Sequence, residues 1–240
     1  MKSILKYTLA IALTVACFNL SFAQKRVKGN GTMTTKTHST SDYNAIHVVG
    51  FMDVILEKGK EGTITVKTDE NLHEYIIVES NNGTLTLKIK KGVNLSTKKG
   101  VHLTVPFTDI SELSLTGSGD VLTKDVIKAN SMEVELTGSG DMILEIEATD
   151  IDAKLTGSGD LQISGKATDF EIKVTGSGDF VGKSLTSQNT EAYVSGSGDA
   201  TVYASKSLKA RVHGSGDIRY VGNPETTDLK VMGSGDIDSN

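Results

Sequence analysis

The sequence predicts an all-β protein, a right-handed parallel β-helix or β-solenoid built on repeats of about 19 residues. Three observations predict it. Gly-Ser-Gly-Asp occurs seven times, beginning at Gly117, Gly138, Gly157, Gly176, Gly196, Gly214 and Gly233, at intervals of 21, 19, 19, 20, 18 and 19 residues. A near-constant period of this size means stacked units. Apolar residues alternate on both sides of each motif, as in Leu113, Leu115 and Val121, or Ala210, Val212, Ile218 and Tyr220; this is strand periodicity. The alternation also runs through the motif unbroken, because Leu113, Leu115, Gly117, Gly119, Val121 and Thr123 all share one parity.

That parity assigns a side to every motif residue. The first glycines, named above, and the second ones (Gly119, Gly140, Gly159, Gly178, Gly198, Gly216 and Gly235) fall on the inward side. A sharp bend over a crowded interior wants a residue without a Cβ. Ser118, Ser139, Ser158, Ser177, Ser197, Ser215 and Ser234 face outward, as do Asp120, Asp141, Asp160, Asp179, Asp199, Asp217 and Asp236. Stacking aligns them in columns, with Thr116, Thr137, Thr156, Thr175 and Ser195 alongside. These serines and aspartates form the candidate binding surface. The plainer reading makes them turn residues whose short polar side chains bond nearby backbone.

The inward row carries Leu115, Leu136, Leu155, Val174, Val194, Val212 and Val231. Each such residue stabilises the fold by roughly 1.5–3 kcal/mol when fully buried. One coil advances roughly 4.8 Å, so six steps give a stack of roughly 29 Å. Parallel crossovers are right-handed by strong preference, which sets the hand of the coil.

Residues 1–23 read as a cleaved secretory signal, with Lys2 and Lys6, an apolar run from Tyr7 to Phe18, and a small-x-small ending at Ser21-Phe22-Ala23. The run is short for a membrane span. The only cysteine, Cys17, lies within it, so the mature chain has neither disulfide nor thiol chemistry. A lipidated Cys17 is the alternative, although Thr14-Val15-Ala16 makes an imperfect lipoprotein box. Residues 24–41 are polar and without periodicity, which predicts a flexible lead-in. The solenoid domain is expected over 42–240, with the repeats in 111–240 and more irregular strands before them. Asn82-Gly83 marks a tight hairpin. Residues 69–76 form either a short helical turn or a loop. Gly50-Phe51-Met52-Asp53 sits like a degenerate first copy of the motif.

Cleavage after Ala23 leaves 217 of the 240 residues and, since Lys2 and Lys6 are the only charges removed, takes the formal net charge from −5 to −7. An acidic chain argues against a nucleic-acid partner, which wants a basic patch. No second long apolar run follows the leader, so no transmembrane segment is expected in the mature chain.

The leader, the opening "VVGFMDVILEKG", the segment "NLHEYIIVESNNGTLTLKI" and the serial "TGSGD" units together resemble the head GIN domain family of secreted bacterial auto-transporter adhesins. The resemblance implies a pectin-lyase-like β-helix with the GSG triplets at tight turns, and a role in adhesion. An auto-transporter also needs a membrane barrel, for which no stretch follows the last repeat here; export through a barrel of its own is not expected.

Two other functions compete with adhesion. Polysaccharide-active β-helices carry acidic grooves, but aspartates on steps of roughly 4.8 Å meet any required carboxylate spacing everywhere and discriminate nothing. Catalysis also needs one carboxyl made unlike its neighbours. Calcium binds glycine- and aspartate-rich β-rolls, yet those repeat every nine residues or so, and calcium wants about six to eight oxygens where one carboxylate recurs here. His38, His47, His73, His102 and His213 are scattered without ligand spacing. The expectation is therefore a secreted or envelope-associated non-catalytic module without cofactor or metal, periplasmic, on the cell surface or extracellular in a Gram-negative-type bacterium. Its partner is a surface ligand, either a glycan or another cell-surface protein. Met232 takes an outward place held by Thr or Ser in the first five units, which predicts a terminal coil packed on another subunit of a homo-oligomer unless Asn223–Asp228 covers it. The family resemblance implies a trimer.

Mass measurement of the exported protein is expected to place its N-terminus at Gln24. A lipidated Cys17 as the first residue would replace the secreted form with a membrane-anchored one.

Overall fold

The computed structural model describes residues 25–239. The leader and its cleavage site lie outside them. The repeats form a parallel solenoid in which each coil contributes a leading strand that ends on the first motif glycine and a trailing strand that starts after the motif aspartate. The leading strands stack in register from Ala45–Gly50 through Glu112–Gly117 and on to Ser207–Gly214 and Thr226–Gly233. Leu115 pairs with Val48 on one side and with Leu136 on the other, and Gly117 likewise with Gly50 and Gly138. The trailing strands stack the same way, from Asp53–Lys58 to Ile237–Ser239.

This register puts like residues above like. The inward columns pack Leu113, Leu115, Val134, Leu136, Ala153, Leu155, Ile172, Val174 and Val212 into one continuous buried core, closed from the trailing side by Val121, Met142, Leu161, Phe180 and Ile218. The degenerate motif at Gly50-Phe51-Met52-Asp53 is the first corner of the stack, an eighth in line with the seven.

Why the corners are glycine follows from what lies beneath them. A Cβ on Gly157, whose φ is +128°, would sit 2.1 Å from the carbonyl oxygen of Gly138 in the preceding coil. One on Gly159 would sit 2.0 Å from the oxygen of Gly140. The first corner has no corner below it: a Cβ on Gly50 meets only Ile89, at 3.4 Å, and Met52, fully buried, replaces the second glycine.

The N-terminal end is closed by irregular strands. Thr84–Ile89 lies parallel to Ala45–Gly50 and forms an antiparallel hairpin with Ile76–Asn81, turning at Asn82 (φ 49°) and Gly83 (φ 81°). His102–Phe107 runs parallel to Asp53–Lys58 and antiparallel to Thr63–Asp69. Glu70–Tyr75 is a 3₁₀ turn whose His73 is buried against Thr34. Burial holds the His73 imidazole below its ordinary range.

Three expectations are corrected. The segment read as a flexible lead-in carries two strands: Lys25–Lys28 pairs with Val93–Ser96, and Met33–Ser39 pairs antiparallel with Thr63–Asp69. Backbone pairing orders it, together with the buried Asp69 carboxylate, which accepts from the Gly31 N–H and the Thr97 hydroxyl at 2.7 and 2.6 Å. One side of Met33–Ser39 is wet, so no apolar alternation betrays it. Val231 does not complete the buried column; it is 40% exposed because no further coil lies over it among the described residues. Nor does 223–228 cover that end, since Thr226 to Asp228 are the start of the last leading strand.

Gly157→Val or Gly159→Val is expected to destabilise by about 3 kcal/mol or more through backbone collision, and Ser158→Ala by less than about 0.5 kcal/mol. Denaturant midpoints of the variants check the order; a serine change worse than either glycine change contradicts the inward assignment.

Candidate functional site

The motif corner is a hydrogen-bond device. The Gly138 carbonyl accepts from the N–H groups of Ser158 and Gly159 at 2.8 and 3.2 Å, and the same pair of bonds recurs at each corner. The aspartate completes it. Asp141 Oδ1 accepts the Asp160 N–H at 2.9 Å, Asp160 Oδ1 the Asp179 N–H at 3.0 Å, and Asp179 Oδ1 the Asp199 N–H at 2.8 Å. The ladder begins with Asp53 accepting from Asp120 at 3.4 Å and ends with Asp217 accepting from Asp236 at 3.0 Å. The aspartate carbonyl then takes an N–H from the preceding trailing strand, as Asp179 does from Leu161. The corner thus satisfies its own backbone polar groups.

The seven predicted glycine pairs, serines and aspartates therefore share one place, with different duties. Apart from Gly233 in the last coil the glycines are buried or half-buried, and the serines stand exposed in a row. One oxygen of each aspartate from Asp120 to Asp217 is engaged by backbone. Two unit charges about 5 Å apart repel by roughly 0.8 kcal/mol in bulk water and about 3 kcal/mol at an effective dielectric of 20. A charge-assisted bond from the next coil offsets this.

A second feature lies at the other end of the leading strands. A groove of about 440 Å³ runs along the solenoid axis, floored by the buried Ile151, Phe170, Thr190 and Leu208. Its rim is two polar columns. Asp169, Asn189, Ser207 and Thr226 start their strands and Asp150, inside the longer Met142–Gly157, pairs with Asp169; Asp152, Glu171, Glu191, Lys209 and Asp228 stand two residues on. Asn189 donates to Asp169 Oδ1 and accepts from the Ser207 hydroxyl, both at 2.8 Å. Glu191 accepts from the Tyr193 hydroxyl and pairs with Lys209 at 3.0 Å. Those two partners hold the Glu191 carboxyl below the usual carboxylate range. The same network pushes Lys209 up to about 12, Tyr193 first and Glu191 second. Arg211 bonds Asp228 and holds it low in the same way.

Motif reading alone did not single out the groove. A signal was present: its two columns sit seven and five residues before each first motif glycine, and aligning the coils on that glycine brings them out. The histidines are dispersed, His47 on Glu112 and His102 on Asp53. Among the described residues no helix is long and apolar enough to cross a membrane.

The chain matches, over residues 42–224, the family described as "Putative auto-transporter adhesin, head GIN domain". It belongs to that family. No curated protein matches this head GIN domain. Among solved structures, a putative adhesin from Bacteroides fragilis is similar to it with a TM-score of 0.84 at 22% identity, covering 89% of this chain and 100% of that one. A putative lipid binding protein from Parabacteroides distasonis aligns with a TM-score of 0.73 at 29% identity, and a putative adhesin from the same species with 0.72 at 27%. Each of these covers 90% of this chain and 100% of the other. The family and the parallel solenoid thus agree with the expectation drawn from the TGSGD units.

Asp160→Ala removes the acceptor for the Asp179 N–H and is expected to cost about 1–2 kcal/mol, whereas Asp160→Asn keeps an acceptor oxygen and costs less than half as much. Neither calcium nor a chelator is expected to move the melting temperature. A chelator-sensitive transition would show that cations, not backbone, hold the aspartate column.

Proposed function

We propose that this head GIN domain is an exported, non-catalytic binding module of the cell envelope that holds a glycan chain in the groove at the start of its leading strands. The observation that carries the reading is a contrast between two sets of columns. The corner repeats the same four residues in all seven coils, its glycines because each coil meets the same steric demand and its aspartates because each from Asp120 to Asp217 accepts the next one's N–H. The groove column instead changes from coil to coil, from Asp150 and Asp169 to Asn189, Ser207 and Thr226. Residues free of the repeat's demand are the ones that can be fitted to a ligand.

The groove's chemistry suits hydroxyl-rich polymers. Carboxylates of Asp169, Glu171 and Glu191 offer acceptors, the Asn189 amide and Lys209 ammonium offer donors, and the floor is apolar but for Thr190. Five coils at roughly 4.8 Å each give four steps, or roughly 19 Å, enough for an extended chain laid along the axis. A glycosidase acid needs its carboxyl raised toward neutrality. Glu191 is pushed the other way by Tyr193 and Lys209, so it does not suit that role. The leader-like N-terminus and the adhesin family support an envelope address.

Binding to arrayed bacterial envelope glycans tests the assignment. Glu171→Gln and Asn189→Ala are expected to weaken binding at least about tenfold, the scale of one lost charged hydrogen bond, and Ser158→Ala to leave it unchanged. The reverse pattern would move the binding surface to the corner serines, and no binding to any glycan would remove the reading altogether.

A further inference from the structure

The two ends of the solenoid are built differently. At the N-terminal end the stacked strands run into antiparallel partners, which close the core. At the other end Thr226–Gly233 is exposed along its whole length. Its inward residues Leu229 and Val231 are 39% and 40% exposed, although the equivalent Ala210 and Val212 one coil below are fully buried. Among the described residues, the core is open there. Thr226 donates its N–H to Lys206 in the coil below. By the alternation of a parallel ladder, Thr227, Leu229 and Val231 then direct their N–H and C=O groups to the open side. Such an edge is a template for another strand.

We propose that this edge pairs with the same edge of a second copy, antiparallel about a two-fold axis at Leu229, giving a closed end-to-end dimer. Two-fold contact of one edge with itself that keeps the inward faces on one side runs the strands antiparallel. The registers then sort themselves by side chain. A shift by one residue would turn the inward set outward, so inward residues must face inward ones. Centring the axis on Asp228 sets that aspartate against its own copy, and centring it on Lys230 does the same with two lysines. Centring it on Leu229 places Asp228 opposite the partner's Lys230 at both ends of the axis. It also sets Leu229 against Leu229 and Val231 against Thr227, all from the inward face. Opposite charges facing each other across strands stabilise a pair, and like charges destabilise it.

The register also uses the free backbone well. Thr227, Leu229 and Val231 are the residues whose polar groups point to the open side, and in this register they pair with one another. The two cores then become continuous, covering the apolar side chains that the last coil leaves exposed. Among the described residues the remaining ends are the capped ones, so the assembly stops at two. It differs in this from the trimer implied by the family resemblance.

Sedimentation velocity and light scattering on the mature chain across a concentration series test the proposal. The expected species is a dimer. Lys230→Asp sets a second carboxylate opposite Asp228 on both sides of the axis, and Asp228→Lys sets two lysine pairs together; each is expected to raise the dissociation constant at least about tenfold. An equimolar mixture of these two variants restores opposite charges at both positions and is expected to dimerise again, a result that misfolding of either variant cannot produce. Leu229→Lys, exposed in the free coil, is expected to give a folded monomer with an unchanged circular dichroism spectrum. A wild-type chain that is monomeric at every concentration, a trimer, open-ended growth, or variant mixtures no tighter than the variants alone would each overturn the proposal.

Discussion

The fold depends on one steric constraint: the corner of each coil rests on the carbonyl oxygens of the corner before it. At the first motif position a Cβ would come within 1.9 to 2.3 Å of the oxygen below, and at the second within 1.9 to 2.1 Å. No side chain survives that approach, so glycine recurs with the coil. Close approach in turn lets a single carbonyl take two N–H donors from the next coil, as Gly138 does from Ser158 and Gly159. It also fixes the register, since sliding a coil by one residue would set a side chain over an oxygen. Once register is fixed, the alternation of apolar residues builds the core without further instruction. Met52 makes the same point from the opposite direction, because the first corner rests on no other corner and tolerates a large buried side chain.

Seven aspartates in a column look like an ion trap when read as composition. Their geometry turns them into a second ladder parallel to the backbone one, each carboxylate from Asp120 to Asp217 accepting the N–H of the aspartate above. Repulsion between neighbours is moderated by exposure to water and by these bonds. The repeat is therefore absorbed by the needs of folding. The differences between coils gather in the groove bounded by Asp169, Asn189, Ser207 and Lys209.

The ends of a solenoid pose a problem that its middle does not, because a terminal coil carries backbone and core that stacking would otherwise cover. Here the N-terminal end is solved within the chain. The Asn82-Gly83 hairpin and Thr63–Asp69 reverse strand direction, and Met33–Ser39 adds a polar outer layer to them. Among the described residues, the far end leaves Leu229 and Val231 half open beside an unpaired strand edge.

By itself the sequence determined the solenoid, its period, the inward and outward sides of every coil and the place of the hairpin. These follow from local rules: alternation of two, recurrence near 19 residues, and the positive φ wanted by Asn82-Gly83. Family membership was legible for the same reason, since the TGSGD units carry it. Tertiary structure decided whatever depends on a neighbour distant in the chain. The strands within 25–39 form because Thr63–Asp69 and Val93–Ser96 lie beside them, and polar strands wetted on one side leave no apolar alternation to read. Val231 has the same inward parity as Val212 but stays exposed, because burial needs a coil above as well as a place in the pattern. The groove's columns are legible only once the coils are aligned on the first motif glycine, and their contacts not at all. Asp169, Asn189 and Ser207 lie 20 and 18 residues apart in sequence, and only the stacking of coils brings their side chains within one hydrogen bond of each other.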